Sequence, residues 1–285
     1  MSCLRVSAIS YLNTAPLMWS FENPPRNAAL RERFQIDYTI PSRCAHMLAE
    51  GSADIGIIPV AAYATTPNLI ILPDVAIASK NAVRSILLIS KKPLDQIRTV
   101  ALDSSSRSSA ALIQILFARH WNLDVQFAPA APQIDEMLAQ NDAALLIGDP
   151  ALEIDRTRYI TWDVAEEWLA FCGKPFVFAF WAVRAGAADE ATFAEIAQTF
   201  RSSRDEGLEH LDEIAADWSS RLTLSRDEIT SYLSRNIHYF LDQENTNSMR
   251  LFFRYAAELK ILPSAPELRF ATEQLCRNSV LAKSF

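Results

Sequence analysis

Residues 4–17 read LRVSAISYLNTAPL, and this stretch gives the first indication of the fold. Its apolar first half, Leu4–Ile9, predicts a β-strand. Asn13 and Thr14 follow where the strand gives way to a helix, and both residue types can cap a helix by accepting hydrogen bonds from its free N–H groups. The two residues are therefore either only helix caps or polar groups presented at the mouth of a cleft.

Strand and helix patterns alternate through the first 185 residues. This order is typical of an α/β fold, in which parallel sheets carry helices on their faces. Ligands of such folds bind beyond the carboxyl ends of the strands, so the loops that follow the strands are the candidate site. Strands are predicted at residues 4–9, 34–40, 55–60, 69–77, 85–89, 99–102, 125–128, 143–147 and 176–183, and helices at 42–50, 106–120, 133–139 and 163–171.

Beyond Arg184 the apolar residues recur at helical spacing, which predicts a helical C-terminal segment that packs against the first domain. Lys91–Pro93 follows a predicted strand and precedes another, and Gly173–Pro175 leads into the strand that begins at Phe176; both are typical of crossings between domains. We therefore expect two α/β lobes around a cleft. Lobe 1 consists of residues 1–92 plus 177–285, and residues 93–176 form an inserted lobe 2.

The composition and net charge argue against nucleic acid and membranes as partners. Half of the residues are apolar and the net charge is −7, without a cluster of Lys and Arg, so nucleic acid is not expected as a partner. An acidic protein that binds an anion must do so with local donors, because its overall field repels the ligand. No apolar run reaches the about 20 residues of a membrane-spanning helix, and the N-terminus does not resemble a secretory signal. A cytoplasmic protein without a membrane partner is expected.

The four cysteines, Cys3, Cys44, Cys172 and Cys276, are scattered along the chain and contain no C-x-x-C pair. In a reducing compartment this distribution predicts free thiols. Cys44 and His46 are both types of zinc ligand, but the helical pattern around them predicts a core cysteine and a surface histidine. No metal site is expected.

The loop DSSSRSS, Asp103–Ser109, joins a predicted strand to a predicted helix. Hydroxyl groups, free backbone N–H groups and the positive end of the helix dipole meet there, which suits a carboxylate or a phosphate. Its candidate binding residues are Ser105, Ser106, Arg107 and Ser108. The alternative is a flexible polar loop in which a serine only caps the helix.

Three further loops follow or precede strands. Pro59 and Val60 end one strand and turn into a short helix, and Arg84 and Ser85 lie beside another strand. Asp149 follows Gly148 at a strand end and could either cap the next helix or face a substrate.

Histidine is the commonest general base, but the four histidines do not fall at strand ends. His46, His120, His210 and His238 all lie within helical patterns and are expected to be surface or structural residues. The sequence contains neither a G-x-S-x-G motif nor paired carboxylates at a strand end. The usual hydrolytic machinery is therefore not predicted.

Taken together, six motifs in this order resemble the chorismate dehydratase family of the futalosine route to menaquinone. The likeness covers nearly the whole chain except its helical C-terminal segment, and it implies the fold of the type 2 periplasmic binding proteins. The motifs are YLNTAPL (11–17), DIGIIPV (54–60), RSILL (84–88), DSSSRSS (103–109), GDPAL (148–152) and GKPFVFAFW (173–181).

The resemblance implies that the substrate is chorismate, that the product is 3-[(1-carboxyvinyl)oxy]benzoate and that no cofactor is needed. It implies catalytic roles for Asn13 and Ser85, and it leaves open whether the protein is a monomer or a homodimer. The expected substrate-binding residues are Tyr11, Thr14, Pro59, Val60, Arg84, Ser105, Ser106, Arg107, Ser108 and Asp149.

Two other functions compete with this interpretation. The 1,4-dihydroxy-6-naphthoate synthase of the same pathway has the same fold, but we associate it with a Ser-Pro-Cys-Pro-Asn-type opening and a cleft histidine, whereas this chain has Tyr11–Pro16 there. A non-catalytic cytoplasmic protein that binds an aromatic acid is the second alternative, because one fold can host binders and catalysts.

Overall fold

The computed structural model of the protein describes residues 3–271, so the expectation for Cys276 falls outside the described residues. Its ten strands are β1 (Leu4–Ile9), β2 (Phe34–Thr39), β3 (Ile55–Pro59), β4 (Leu69–Ser79), β5 (Ile86–Ser90), β6 (Thr99–Asp103), β7 (Gln126–Ala130), β8 (Ala143–Ile147), β9 (Ile160–Asp163) and β10 (Phe176–Arg184).

Eleven α-helices are described in the same part of the chain, together with short 3₁₀ turns at Leu12–Thr14 and Val60–Ala64 and π-helical turns at Leu116–His120 and Tyr232–Asn236. The α-helices are α1 (Ala15–Glu22), α2 (Asn27–Arg33), α3 (Pro41–Glu50), α4 (Arg107–Ile115), α5 (Ile134–Gln140), α6 (Asp149–Leu152), α7 (Val164–Cys172), α8 (Glu190–Glu209), α9 (Leu211–Trp218), α10 (Arg226–Ser231) and α11 (Gln243–Glu258).

The strands form two five-stranded sheets. The first sheet has the order β2-β1-β3-β10-β4 and the second has the order β7-β6-β8-β5-β9. Strands β1, β2 and β3 are parallel, as are β6, β7 and β8, whereas β10 and β5 run antiparallel to their neighbours. Each antiparallel strand therefore begins at the edge where the parallel strands of its sheet end, and brings its first residues to the ligand-binding edge.

Strand β5 differs from the sequence-based expectation. Residues 86–90 were expected in lobe 1, but Ile86 pairs with Ile147 of β8, and Leu87 pairs with Asp163 of β9, in the second sheet. An apolar run such as residues 86–90 could belong to either sheet, because its sequence does not show which strands it pairs with. One of its two partners, β9, was not predicted from the sequence. The division into two lobes remains a proposal, and we now place its crossings at residues 80–85 and 173–175.

The C-terminal helices pack against the first sheet, as predicted. Ser203 of α8 donates a hydrogen bond to the Leu17 carbonyl at 2.8 Å and accepts one from the Ser20 amide at 3.2 Å. The ring of Phe200 lies against Phe21, Phe34 and Trp181. Over residues 3–271, no helix is both long enough and apolar enough to cross a membrane.

The segment after α10 departs from its predicted helical form. His238 lies in extended backbone that pairs with Ala78 of β4, through N–H to carbonyl hydrogen bonds of 2.7 and 2.9 Å. The side-chain amide of Asn236 donates to the Ala82 carbonyl at 2.8 Å. These bonds anchor the C-terminal segment at the crossing between the two sheets.

Candidate active site

A pocket of about 430 Å³ lies between the two sheets, at the carboxyl ends of their parallel strands. Residues from both sheets line it, including Ile86 of β5 and Phe178 and Ala179 of β10. The lining residues are Ile9, Tyr11, Asn13, Pro41, Pro59, Ile77, Ile86, Ser106, Ser108, Ser109, Ile147, Gly148, Phe178 and Ala179.

Asn13 reaches the pocket from the 3₁₀ turn between β1 and α1. Neither Asn13 nor Thr14 makes a side-chain cap at this helix start, so the interpretation as caps is wrong. The Thr14 hydroxyl instead donates to Asn13 Oδ1 at 3.3 Å. This bond occupies the carbonyl end of the Asn13 amide and leaves its NH₂ group as the end that can donate to a ligand.

The serine loop contributes three hydroxyl-bearing residues to the pocket, Ser106, Ser108 and Ser109. Ser106 caps α4 by accepting from the Ser109 amide at 3.2 Å, so its expected capping role is present beside its place in the lining. Ser108 Oγ accepts from the Ala61 amide of the opposite sheet at 3.1 Å, which leaves the Ser108 hydroxyl proton for another acceptor. Ser105 turns away from the pocket and binds Asp103 at 2.6 Å.

Ser85 lies directly behind the pocket wall formed by Ile86. It is fully buried and its carbonyl accepts from the Gly148 amide at 2.8 Å, which ties the start of β5 to the end of β8. Its hydroxyl accepts a hydrogen bond of 2.9 Å from the Tyr232 hydroxyl. Tyr232 was missed by the sequence analysis because its spacing with Ile229 and Leu233 is that of an ordinary core face of a helix.

Asp149 connects the two sheets beside this cluster. Its carboxylate accepts from the Leu12 amide at 3.0 and 3.4 Å, instead of capping α6. Burial raises the pKa of Asp149 from 3.8 to about 6, although the Leu12 hydrogen bond acts in the opposite direction. Asp103 behaves similarly, because burial raises its pKa against the hydrogen bonds from Ser105 and Ile147. Asp149 therefore joins the loops of the two sheets, whereas Asp103 makes its hydrogen bonds within the second sheet.

The two expected arginines do not reach the pocket. Arg107 is exposed and lines a separate pocket with Thr65 and Gln114. Arg84 has a left-handed backbone, with φ of 62°, and its amide donates to Asp163 at 2.7 Å. Both arginines lie near the end of a strand, Arg107 after β6 and Arg84 before β5. That position in the chain does not determine where their side chains point.

The other expected binding residues lie around the pocket. Tyr11 and Pro59 are in its lining, whereas Val60 is buried behind Pro59 and Thr14 faces a neighbouring pocket with Tyr38 and Trp218. The lining of the main pocket is thus apolar except for Tyr11, Asn13 and three serines. Any anion bound there would be held by hydroxyl and amide donors and by the N-terminal N–H groups of α4.

Each of the four histidines lies beside an acidic side chain outside the pocket lining. His46 pairs with Glu50 at 2.8 Å, His120 with Glu167 at 3.2 Å and His210 with Glu213 at 2.7 Å, while His238 faces Asp242 at 3.2 Å. Cys44 is buried and His46 is exposed, as predicted. Within residues 3–271, no group of three or more His, Cys, Asp or Glu side chains could hold a metal ion.

Solved structures with the same fold include proteins of quite different origin. A protein of Archaeoglobus fulgidus is 15% identical with a TM-score of 0.75, and the match covers 91% of this chain and 98% of that one. The periplasmic aliphatic sulphonate binding protein of Escherichia coli is 14% identical with a TM-score of 0.66, over 96% and 99% of the two chains. These likenesses confirm the predicted periplasmic-binding-protein fold.

Sequence relatives carry the comparison further. A chorismate dehydratase of Thermus thermophilus is 27% identical over 280 residues, which covers 90% of this chain and 94% of that protein. The model of a family described as menaquinone biosynthesis matches residues 4–258. That match includes both sheets, every residue of the pocket lining and Tyr232. The chain therefore belongs to the menaquinone biosynthesis family.

Proposed function

We propose that this protein is a chorismate dehydratase that converts chorismate to 3-[(1-carboxyvinyl)oxy]benzoate and water. The observation that carries the proposal is the pocket lining, in which apolar side chains surround one amide and three serines. The apolar side chains suit the hydrocarbon ring of chorismate, and the hydroxyl and amide donors suit its carboxylates. The chorismate dehydratase relative from Thermus thermophilus supports the same function.

The reaction removes the proton from C3 of the cyclohexadiene ring and the hydroxyl group from C4, which leaves an aromatic ring. The C3–H electron pair becomes part of the ring, the C4–O bond breaks, and the departing oxygen takes up a proton to give water. Formation of the aromatic ring supplies the driving force. The ring carboxylate is conjugated to the charge that develops in a stepwise elimination, so preorganised donors there lower the barrier.

We assign the binding of a substrate carboxylate to Ser106, Ser108 and Ser109 with the first turn of α4. We assign to Asn13 the contact with the reacting ring and its enolpyruvyl side chain, and to Ser85, which is buried behind Ile86, a supporting role that ties the start of β5 to the end of β8. An amide is not a base at neutral pH, so we assign proton removal at C3 to the substrate's own enolpyruvyl carboxylate, held in position by the Asn13 NH₂ group. Asp149 and Ala61 contribute by fastening the loops of the two sheets around the pocket.

The test is to incubate the purified protein with chorismate alone and to follow the ultraviolet spectrum and the product mass. We expect an aromatic product that is lighter than chorismate by one water, and slower turnover with deuterium at C3. The Asn13→Ala variant, correctly folded, is the matched control for contaminating activity. Unchanged chorismate with saturable binding would instead support an aromatic-acid-binding protein, and unchanged chorismate without binding would favour the naphthoate synthase.

A further inference from the structure

The Tyr232 hydroxyl makes the one hydrogen bond, among the described residues, that links the C-terminal helical segment to the Ser85 hydroxyl. Tyr232 is 1% exposed and begins the π-helical turn Tyr232–Asn236 that continues α10. Its hydroxyl donates to Ser85 Oγ at 2.9 Å across a sequence separation of 147 residues. Short π-helical turns are rare and are found frequently at functional sites.

Tyr232 also faces Asn13. Burial raises the pKa of Tyr232 and the Asn13 side chain acts against that rise, while the Asn13 Oδ1 atom accepts from Thr14. The Tyr232 hydroxyl therefore hydrogen-bonds to Ser85 on one side of the cleft and lies near Asn13 on the other. The anchoring of the following segment to Ala78 and Ala82 fixes this oxygen relative to the strands that carry the pocket.

The hydrogen bond with Tyr232 has a chemical consequence. It engages the Ser85 hydroxyl, which is fully buried and needs a partner inside the protein. Burial raises the pKa of Tyr232, which keeps its hydroxyl protonated. A phenylalanine at this position would leave the Ser85 hydroxyl free to rotate and the Asn13 amide without its neighbour.

We propose that Tyr232 is a positioning residue of the reaction, whose hydroxyl fixes Ser85 at the start of β5 and, through it, the pocket wall that faces Asn13. The inference rests on the proposed function and adds a residue from a segment that carried none of the family motifs. Tyr232 acts through Ser85 and does not itself line the pocket.

The test compares Tyr232→Phe with Tyr239→Phe. Tyr239 is a second buried tyrosine, 2% exposed, and its hydroxyl has no hydrogen-bond partner among residues 3–271, so its removal controls for loss of a buried phenol oxygen. For Tyr232→Phe we expect kcat for chorismate to fall by about tenfold, the effect of losing one hydrogen bond, with KM and melting temperature close to the parental values. Tyr239→Phe is expected to keep the parental kcat.

A double variant separates positioning from a structural role. If Tyr232 acts through Ser85, the loss in Tyr232→Phe with Ser85→Ala will be much smaller than the product of the two single losses. Independent losses that multiply, or a Tyr232→Phe variant with parental kcat, would overturn the inference while the proposed function stands. A folded parental protein that leaves chorismate unchanged would overturn both.

Discussion

The ring of Tyr11 lies against the backbone of Gly148, so closely that a Cβ atom on Gly148 would come within 2.7 Å of Tyr11 Cε2. Tyr11 follows β1 of the first sheet and Gly148 follows β8 of the second. Gly148 also has φ of 69° and ψ of −150°, a backbone conformation that is essentially restricted to glycine. The contact therefore fixes how two loops from different sheets meet at the pocket wall, and it requires glycine for two separate reasons.

The first prediction tests whether the contact with Tyr11 shapes the pocket. Gly173 also has a positive φ, of 68°, but its ψ of 23° places it in the αL region, and nothing lies within 4 Å of a Cβ atom placed there. We expect Gly173→Ala to lower the free energy of unfolding by about 1–2 kcal/mol, the usual cost of a left-handed residue, and to keep the parental kcat/KM. Gly148→Ala is expected to lose at least as much stability and, in addition, to lower kcat/KM because the Tyr11 ring must move.

Both free energies can be measured by urea unfolding, and activity by the appearance of the aromatic product. Equal kcat/KM values in the two variants would show that the contact between Tyr11 and Gly148 does not shape the pocket.

The second prediction concerns the role of the Asn13 amide. Asn13→Ala removes the NH₂ donor, and we expect kcat to fall by about 10²–10³-fold, as for loss of one preorganised donor. Asn13→Asp keeps the shape and supplies a carboxylate in place of the NH₂ group. It is expected to be as inactive as Asn13→Ala, because the proposed role is donation and not proton removal. An Asn13→Asp variant with parental or higher kcat would instead assign the base to this position.

The third prediction tests the serine loop. Ser108→Ala removes a pocket hydroxyl and leaves the buried Ala61 amide without its acceptor. A hydrogen bond to a charged group contributes about 1.5–3 kcal/mol, so we expect KM for chorismate to rise by about tenfold or more. Ser104→Ala is the matched control, since Ser104 is exposed in the same loop and outside the pocket lining. Isothermal titration with the product would check binding directly, and equal affinity of both variants would contradict the assignment.

The strand-end rule accounts for most of the pocket residues that the sequence could predict. Tyr11, Asn13, Pro59, Ser106 and Ser108 all lie within a few residues of a strand end, and all line the pocket. The rule works because parallel strands must end at one edge of a sheet, whatever the order of the strands. It therefore finds loops reliably without any knowledge of which strands are neighbours.

What the sequence could not predict depends on direction and on distant contacts. Arg107 follows a strand and starts a helix as expected, but its side chain points out of the cleft. Strand β5 pairs with β8 and β9, which follow it by more than 50 residues, and not with the strands before it. The sheet to which it belongs is therefore set by long-range pairing that its own sequence does not show. Tyr232 has the spacing of a core residue, and only its hydroxyl, not its periodicity, distinguishes it from a phenylalanine.

Asp149 gives the protein a defined pH dependence. Its pKa is raised from 3.8 to about 6 by burial, so the folded protein binds this proton more tightly than the unfolded chain does. Between these two values the folded state carries more protons, and the free energy of unfolding therefore decreases as the pH rises through this window. Above pH 6 the cost of the buried charge is present in full.

The fourth prediction is that Asp149→Asn removes this pH dependence. The asparagine Oδ1 can still accept from the Leu12 amide, so the contact between the two sheets is kept while the charge is removed. One pKa unit corresponds to about 1.4 kcal/mol. Because solvent reaches part of this side chain, we expect a gain of only about 1 kcal/mol in the free energy of unfolding at pH 8, shrinking towards pH 4.

The control variant Asp142→Asn should act in the opposite direction. Lys92 and the Arg98 and Thr99 amides hold the pKa of Asp142 below its ordinary value, so its carboxylate stabilises the fold at pH 8. Thermal unfolding of both variants at pH 4, 6 and 8 measures this difference, and an Asp149→Asn variant that is less stable than the parent at pH 8 would show that the ionised carboxylate strengthens the contact with Leu12 by more than its burial costs.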